Sequence, residues 1–307
     1  MNAPRHNLTR GITLILITTF LLALQDSVFK LYAGSLSLWQ LFALRGVIAL
    51  PLFFVVAAVT KQSGFVAQAL GIWPLIRGAF ITIMLLGFYA ALPFLSLSTA
   101  GAAVYVTPII VAILSGMFLN EPVRLIGWIG VLIGFAGMLI LLQPGTELFS
   151  PWLLLPLSGA ILYAFAHIIT RAKCPDTPVL AMAFALNFVM LIFGSLGSLV
   201  LAIWQPALGA EYSYILGSWG ALEMVDWGVL LLLAIFTMTV GMLMAGAYQA
   251  APPATIATFE YSYLIFAALA DIVIFAFIPG GYAFLGMGMI VLAGWLVSLK
   301  PRKARSA

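Results

Sequence analysis

From Ile126 to Leu142 the chain runs without one charged side chain, studded with glycine, and stretches of the same kind recur along its whole length. A helix of about 20 such residues crosses the hydrocarbon core of a bilayer. Hydrocarbon offers no hydrogen-bond partner to a bare backbone, so only helices and closed barrels span it. A barrel would show alternating segments of about ten residues, not continuous apolar runs. The fold class is therefore an all-α membrane protein. Apolar runs bounded by Pro, Gly and charge give ten spans, near 11–32, 36–59, 72–92, 98–118, 123–142, 150–170, 178–204, 226–248, 254–276 and 281–299. Composition agrees, since 64% of the 307 residues are hydrophobic and 7% are charged, against about 25% charged in soluble domains. The arithmetic leaves no separate soluble domain. No small-x-small cleavage site precedes Gln25 and Asp26, so the first span reads as a retained helix and not a signal peptide.

The net charge of +4 does not imply a nucleic-acid partner, and the single Cys174 can form no intramolecular disulfide. The placement of the basic residues is more informative. Arg5 and Arg10, then Lys61, Arg124, Arg171 with Lys173, and the tail Lys300, Arg302, Lys303 and Arg305 occupy alternate connections; the others hold Glu147, Glu211, Glu223 and Asp226. Basic residues stay on the cytoplasmic side, which predicts a multi-pass inner-membrane protein with both termini cytoplasmic.

An internal repeat comes next. Glu121-Pro122 through Gly137 to Gln143-Pro144 matches Ile278-Pro279 through Gly294 to Lys300-Pro301 at one constant spacing, and aligning the first and sixth spans sets Asp26 opposite His167 and Lys30 opposite Arg171. The chain divides into residues 1–146 and 147–307, five helices each. An odd number of spans per repeat inverts the second copy in the membrane, an architecture that puts a binding cavity near the midplane and supports alternating access.

Leu75-Ile76-Arg77-Gly78, Phe88-Tyr89-Ala90-Ala91-Leu92-Pro93-Phe94-Leu95-Ser96-Leu97, Thr107-Pro108 and Asn120-Glu121-Pro122 resemble the drug/metabolite transporter superfamily, specifically its EamA type. The second half repeats the resemblance in Tyr248-Gln249, Ala257-Thr258-Phe259-Glu260-Tyr261 and Phe277-Ile278-Pro279. The resemblance implies ten helices in two inverted repeats, cytoplasmic termini and movement of small metabolites across the inner membrane. Asp26-Ser27-Val28-Phe29-Lys30, Arg45 and Arg77 look like the branch containing bacterial S-adenosylmethionine and riboflavin importers. Ile278 stands where the second repeat often has Glu, so Glu121 is left out of the site.

An ionisable group at mid-span costs at least about 2.5–3.5 kcal/mol, so it faces a partner or a wet cavity. Glu260 is the leading substrate-facing carboxylate, able to bind a cationic group or take up a coupling proton; the alternative is a structural ion pair with Arg45 or Arg77. Arg45 lies too deep to snorkel, whereas Arg77 opens its span and can reach the interface. Asp26 lies one helical turn before Lys30 and can pair with it. His167 titrates near neutral pH when unperturbed. Tyr89, Tyr105, Tyr248 and Tyr263 sit inside spans that the resemblance places around the cavity, where rings serve stacking or cation–π contact. Trp39, Trp73, Trp152 and Trp227 read as interfacial belt residues. Gly127, Gly130, Gly134 and Gly137 read as packing residues, Pro108 as a bend in the fourth span, and Asp271 as structural or near the outer mouth.

The best-supported reading is a secondary carrier of a small polar or zwitterionic metabolite, S-adenosylmethionine or an amino acid among them, partnered by the lipid bilayer and coupling protons. An exporter of amino acids, metabolites or drugs shares the fold. The sequence has no GxxxxGK[ST] phosphate loop, no H-E-x-x-H metal motif and no serine elbow, so no cofactor is expected and an intramembrane enzyme is disfavoured. A channel would share the topology and is separated by saturable counterflow.

Overall fold

The computed structural model describes residues 7–32, 36–91, 94–95, 97–143, 150–204, 212–276 and 280–298, and helix is the regular structure among them. Helices α1 (Leu8–Tyr32) and α2 (Leu38–Val59) are the first two spans, a short helix α3 (Phe65–Ala69) lies in the connection, and α4 (Ile72–Ala91) is the third span. The fourth is broken into α5 (Leu97–Val104) and α6 (Thr107–Phe118), and α7 (Leu125–Leu142) is the fifth. The second half repeats the plan. A 3-10 turn at Pro151–Leu153 enters α8 (Leu154–Lys173); α9 (Val179–Trp204) follows, then α10 (Ser213–Leu216) in the connection and α11 (Met224–Ala250). The ninth span is again broken, into α12 (Pro253–Glu260) and α13 (Ser262–Phe275), and α14 (Gly281–Ser298) is the tenth. Ten crossings bring both described ends to one side, called here the near face. The repeat landmarks Ile278-Pro279 and Lys300-Pro301 lie outside the described residues.

The two sets of five helices are inverted and interleaved. The main packing partners are α7 with α14, α4 with α8, α2 with α9 and α1 with α11, every pair joining one half to the other. Exchanging each span for its counterpart five spans away turns the α4–α8 pair into the α11–α1 pair, and leaves α7–α14 and α2–α9 unchanged. The α2–α9 crossing shows why small residues are needed. A Cβ on Gly46 would lie 2.6 Å from Leu191 Cβ, and one on Gly194 would meet the backbone nitrogen of Ala43, so the helix backbones nearly touch. Gly130 and Gly137 do the same for α7 against α14, whereas Gly127 faces Val123, just before its own helix. Large apolar side chains such as Phe54, Val55, Leu199, Ile203, Val291 and Trp295 stay exposed, as lipid-facing surfaces require.

The fourth span was read as continuous from 98 to 118, and its break has a local cause. Pro108 has no N–H, so the carbonyl of Val104 loses its helical donor and takes the Thr107 hydroxyl at 2.6 Å instead. The Ile109 amide bonds the Val106 carbonyl rather than that of Tyr105. The Tyr105 carbonyl freed in this way accepts the Tyr261 hydroxyl at 3.1 Å. Tyr261 is itself the break in the ninth span, between α12 and α13, so the two discontinuities are bonded to each other. Gly134 makes room for that ring, since a Cβ there would sit 2.7 Å from Tyr261 Cδ2.

Candidate functional site

The polar side chains expected in the membrane gather in two clusters. The first is built from α4, α8, α11 and α12, toward the near face. On α8, Tyr163, His167 and Thr170 share one face by helical spacing. Tyr248 of α11 donates its hydroxyl to Glu260 Oε1 at 2.6 Å, and His167 Nε2 lies 3.5 Å from the same oxygen, too poorly placed to hydrogen-bond it. The imidazole stacks flat on Tyr248, with ring centroids 3.7 Å apart and planes at 9°, and meets Tyr163 edge-on at 4.1 Å. Glu260, His167 and Tyr248 are all buried. Arg77 of α4 completes the cluster. Its Nε donates to Thr170 Oγ1 at 2.7 Å, and its side chain is 1% exposed, so it points into the bundle and does not snorkel.

The second cluster is toward the far face, on α1, α2, α4, α11 and α13. Tyr263 donates to Asp26 Oδ2 at 2.6 Å. Arg45 bonds the Thr237 hydroxyl through Nη2; that hydroxyl donates to the Leu233 carbonyl at 2.8 Å and lies 3.4 Å from Gln25 Oε1. Asp26 and Tyr89 lie in the electrostatic field of Arg45. Between the clusters, Tyr105 faces Tyr261 and Tyr263 with ring centroids 5.9 and 6.1 Å away.

All nine residues singled out from sequence therefore fall in or between two clusters, but not in the pairings considered. Glu260 is held by Tyr248, with His167 close by, and not by an arginine. Asp26 takes Tyr263 as its donor; the Lys30 side chain lies outside the described set. Sequence reading missed Tyr163, Thr170, Thr237, Gln25 and Tyr261. Helical spacing from His167 would have found Tyr163 and Thr170; the others gave no signal.

Each face is also latched. On the near face Arg171 donates to the Gln249 carbonyl at 2.6 Å and to Glu121 Oε1 at 3.0 Å. On the far face Gln40 and Gly220 exchange two bonds of 2.9 Å. Trp39 is corrected from a belt residue to part of this latch, because it donates to the Ile215 carbonyl at 2.7 Å and lies on Gly197. Trp73, Trp152 and Trp227 stay exposed at span ends. Among the described residues no three His, Cys, Asp or Glu side chains come together in a way that would hold a metal ion.

Residues 9–143 match the EamA-like transporter family. A riboflavin transporter of Vibrio cholerae is 25% identical over 209 residues, covering 66% of this chain and 63% of its own length, which is under two thirds. An S-adenosylmethionine uptake transporter of Rickettsia felis is 25% identical over 236 residues, covering 76% of this chain and 73% of its own. A solved crystal structure superposes with a TM-score of 0.74 at 18% identity, over 96% of this chain and 98% of that one, and speaks to the fold alone. The fold and its buried charges define an inverted-repeat helical membrane protein. The first half of the chain thus resembles the EamA-like transporter family, and the chain is similar to proteins named as riboflavin and S-adenosylmethionine transporters.

Proposed function

We propose that the protein is a secondary carrier that moves a small polar or zwitterionic metabolite across the inner membrane by alternating access. S-adenosylmethionine is the first candidate, and riboflavin and amino acids are the next. The observation that carries this reading is the buried Glu260–Tyr248–His167 cluster, with Arg77 beside it, at the break of the ninth span. A broken helix at mid-membrane places polar groups where a substrate can replace their missing partners. Residues 1–146 and 147–307 act as the two repeats that rock about this site, with both termini cytoplasmic as the basic connections direct. The near-face cluster binds the substrate and the far-face cluster of Asp26, Arg45, Tyr89 and Tyr263 closes the path on the other side, with Tyr105 between them. Transport follows the combined gradient of substrate and coupling protons, so the same machinery serves uptake or export.

The test is uptake and counterflow of labelled S-adenosylmethionine, riboflavin and aromatic amino acids in proteoliposomes holding wild type or Glu260→Gln. Saturable exchange that the substitution removes from a folded protein is the expected result. Unsaturable flux would make the protein a channel, and normal flux in the variant would make Glu260 structural.

A further inference from the structure

Three arginines are buried among the described residues, and they differ in one respect. Arg171 has Glu121 at 3.0 Å. Arg45 has Asp26 in its field. Among the described residues Arg77 has no acid: the groups facing its charge are Cys174, Tyr163 and His167, and its hydrogen-bond partner is the Thr170 hydroxyl. Its Nη1 is buried without a hydrogen-bond partner among the described residues; Arg45 Nε shares that condition, but Arg45 has Asp26 in its field and Arg77 has no such acid. A guanidinium removed from water and left uncompensated is strongly unfavourable, and this one has not retreated to the interface.

The backbone shows why it stays there. Gly78, the next residue, lies against α9, where a Cβ would sit 3.2 Å from the Ala185 carbonyl oxygen. Arg77 is thereby held beside α8, where Thr170 donates to the Ala166 carbonyl at 2.8 Å and presents its oxygen as a fixed acceptor. One edge of the planar fork is fixed and another N–H is unsatisfied. Tyr163 meets His167 edge-on at 4.1 Å and lies within the field of both Arg77 and Glu260.

On the carrier reading above, we infer that Arg77 receives an anionic group of the transported ligand, a carboxylate, while Glu260 faces its cationic end. The substrate class narrows to zwitterions of amino-acid type. Riboflavin, which has no carboxylate, is a poor ligand of this chain.

The experiment is equilibrium binding to the purified full-length protein of S-adenosylmethionine and of its decarboxylated analogue, which keeps the sulfonium and the ammonium. Wild type is expected to favour the carboxylated member about ten- to a hundredfold, the effect of a hydrogen bond to a charged group. Arg77→Gln removes the preference by weakening that member alone, and Arg77→Lys restores part of it. Equal affinities in wild type, or a preference that survives in Arg77→Gln, overturn the inference. Binding of neither compound sinks the S-adenosylmethionine reading instead. The carboxylate site is then read from acetate, which raises the melting temperature of wild type and not of Arg77→Gln; the same response in both overturns it.

Discussion

The two buried clusters use the same side-chain types to opposite effect. In the far-face cluster Asp26 accepts from Tyr263, Arg45 donates to Thr237, and acid and base lie in one another's field. In the near-face cluster Glu260 is held by a tyrosine and a loosely placed histidine, while Arg77 has a single hydroxyl. Buried polar groups are normally satisfied. A cluster in which acid and base offset one another serves to hold helices together, and one that leaves an arginine without an acid and both imidazole nitrogens without partners among the described residues is arranged for something that arrives later.

Amide substitutions test that contrast most sharply, because they keep an acceptor for the tyrosine and remove only the charge. Glu260→Gln is expected to reduce exchange more than about a hundredfold, as for a buried charge partner. Asp26→Asn leaves substrate affinity unchanged and costs about 1–3 kcal/mol of stability, because Arg45 loses its acid. Equal loss of exchange in both would make the clusters equivalent. Removing the donors comes next: Tyr248→Phe should weaken substrate binding about tenfold, while Tyr263→Phe lowers the melting temperature by a few degrees without changing affinity. Binding isotherms and thermal melts of the same preparations separate the two. Arg171→Gln opens the near-face latch, which includes the partly exposed Glu121. It should cost about 1–3 kcal/mol, because the buried Arg171 side chain is the donor to both the Gln249 carbonyl and Glu121, checked in the thermal melt. Tyr261→Phe removes the bond between the helix breaks and should cost about 1 kcal/mol, read in the thermal melt together with a change in exchange rate.

The spans were readable because lipid demands long apolar helices. The eighth, expected at 226–248, is α11 from Met224 to Ala250, and the others agree as closely. The helix breaks were less readable. Pro108 marked the first, but Tyr261 follows Glu260 in an apolar run with no Pro or Gly, and its hydroxyl reaches a carbonyl in the other half of the chain, which no local pattern announces. The site was half legible for a similar reason. Charges announce themselves in an apolar sequence, whereas Thr170 and Thr237 look like packing residues until the fold sets a guanidinium beside each. The pairing of Glu260 with Tyr248 and His167, not with an arginine, was decided by how α8, α11 and α12 cross.

The interleaving of the halves bears on how the chain is made. As synthesis proceeds, Asp26, Arg45 and Arg77 enter the bilayer before Tyr263, Thr237 and Thr170, the groups that hydrogen-bond them in the finished bundle. Each buried charge carries an insertion cost of about 2.5–3.5 kcal/mol, so the amino-terminal five helices gain their full set of hydrogen bonds only once the second five are in the bilayer. A chain stopped near residue 150 would carry these side chains without those partners, and its amino-terminal half would hold together less firmly for it.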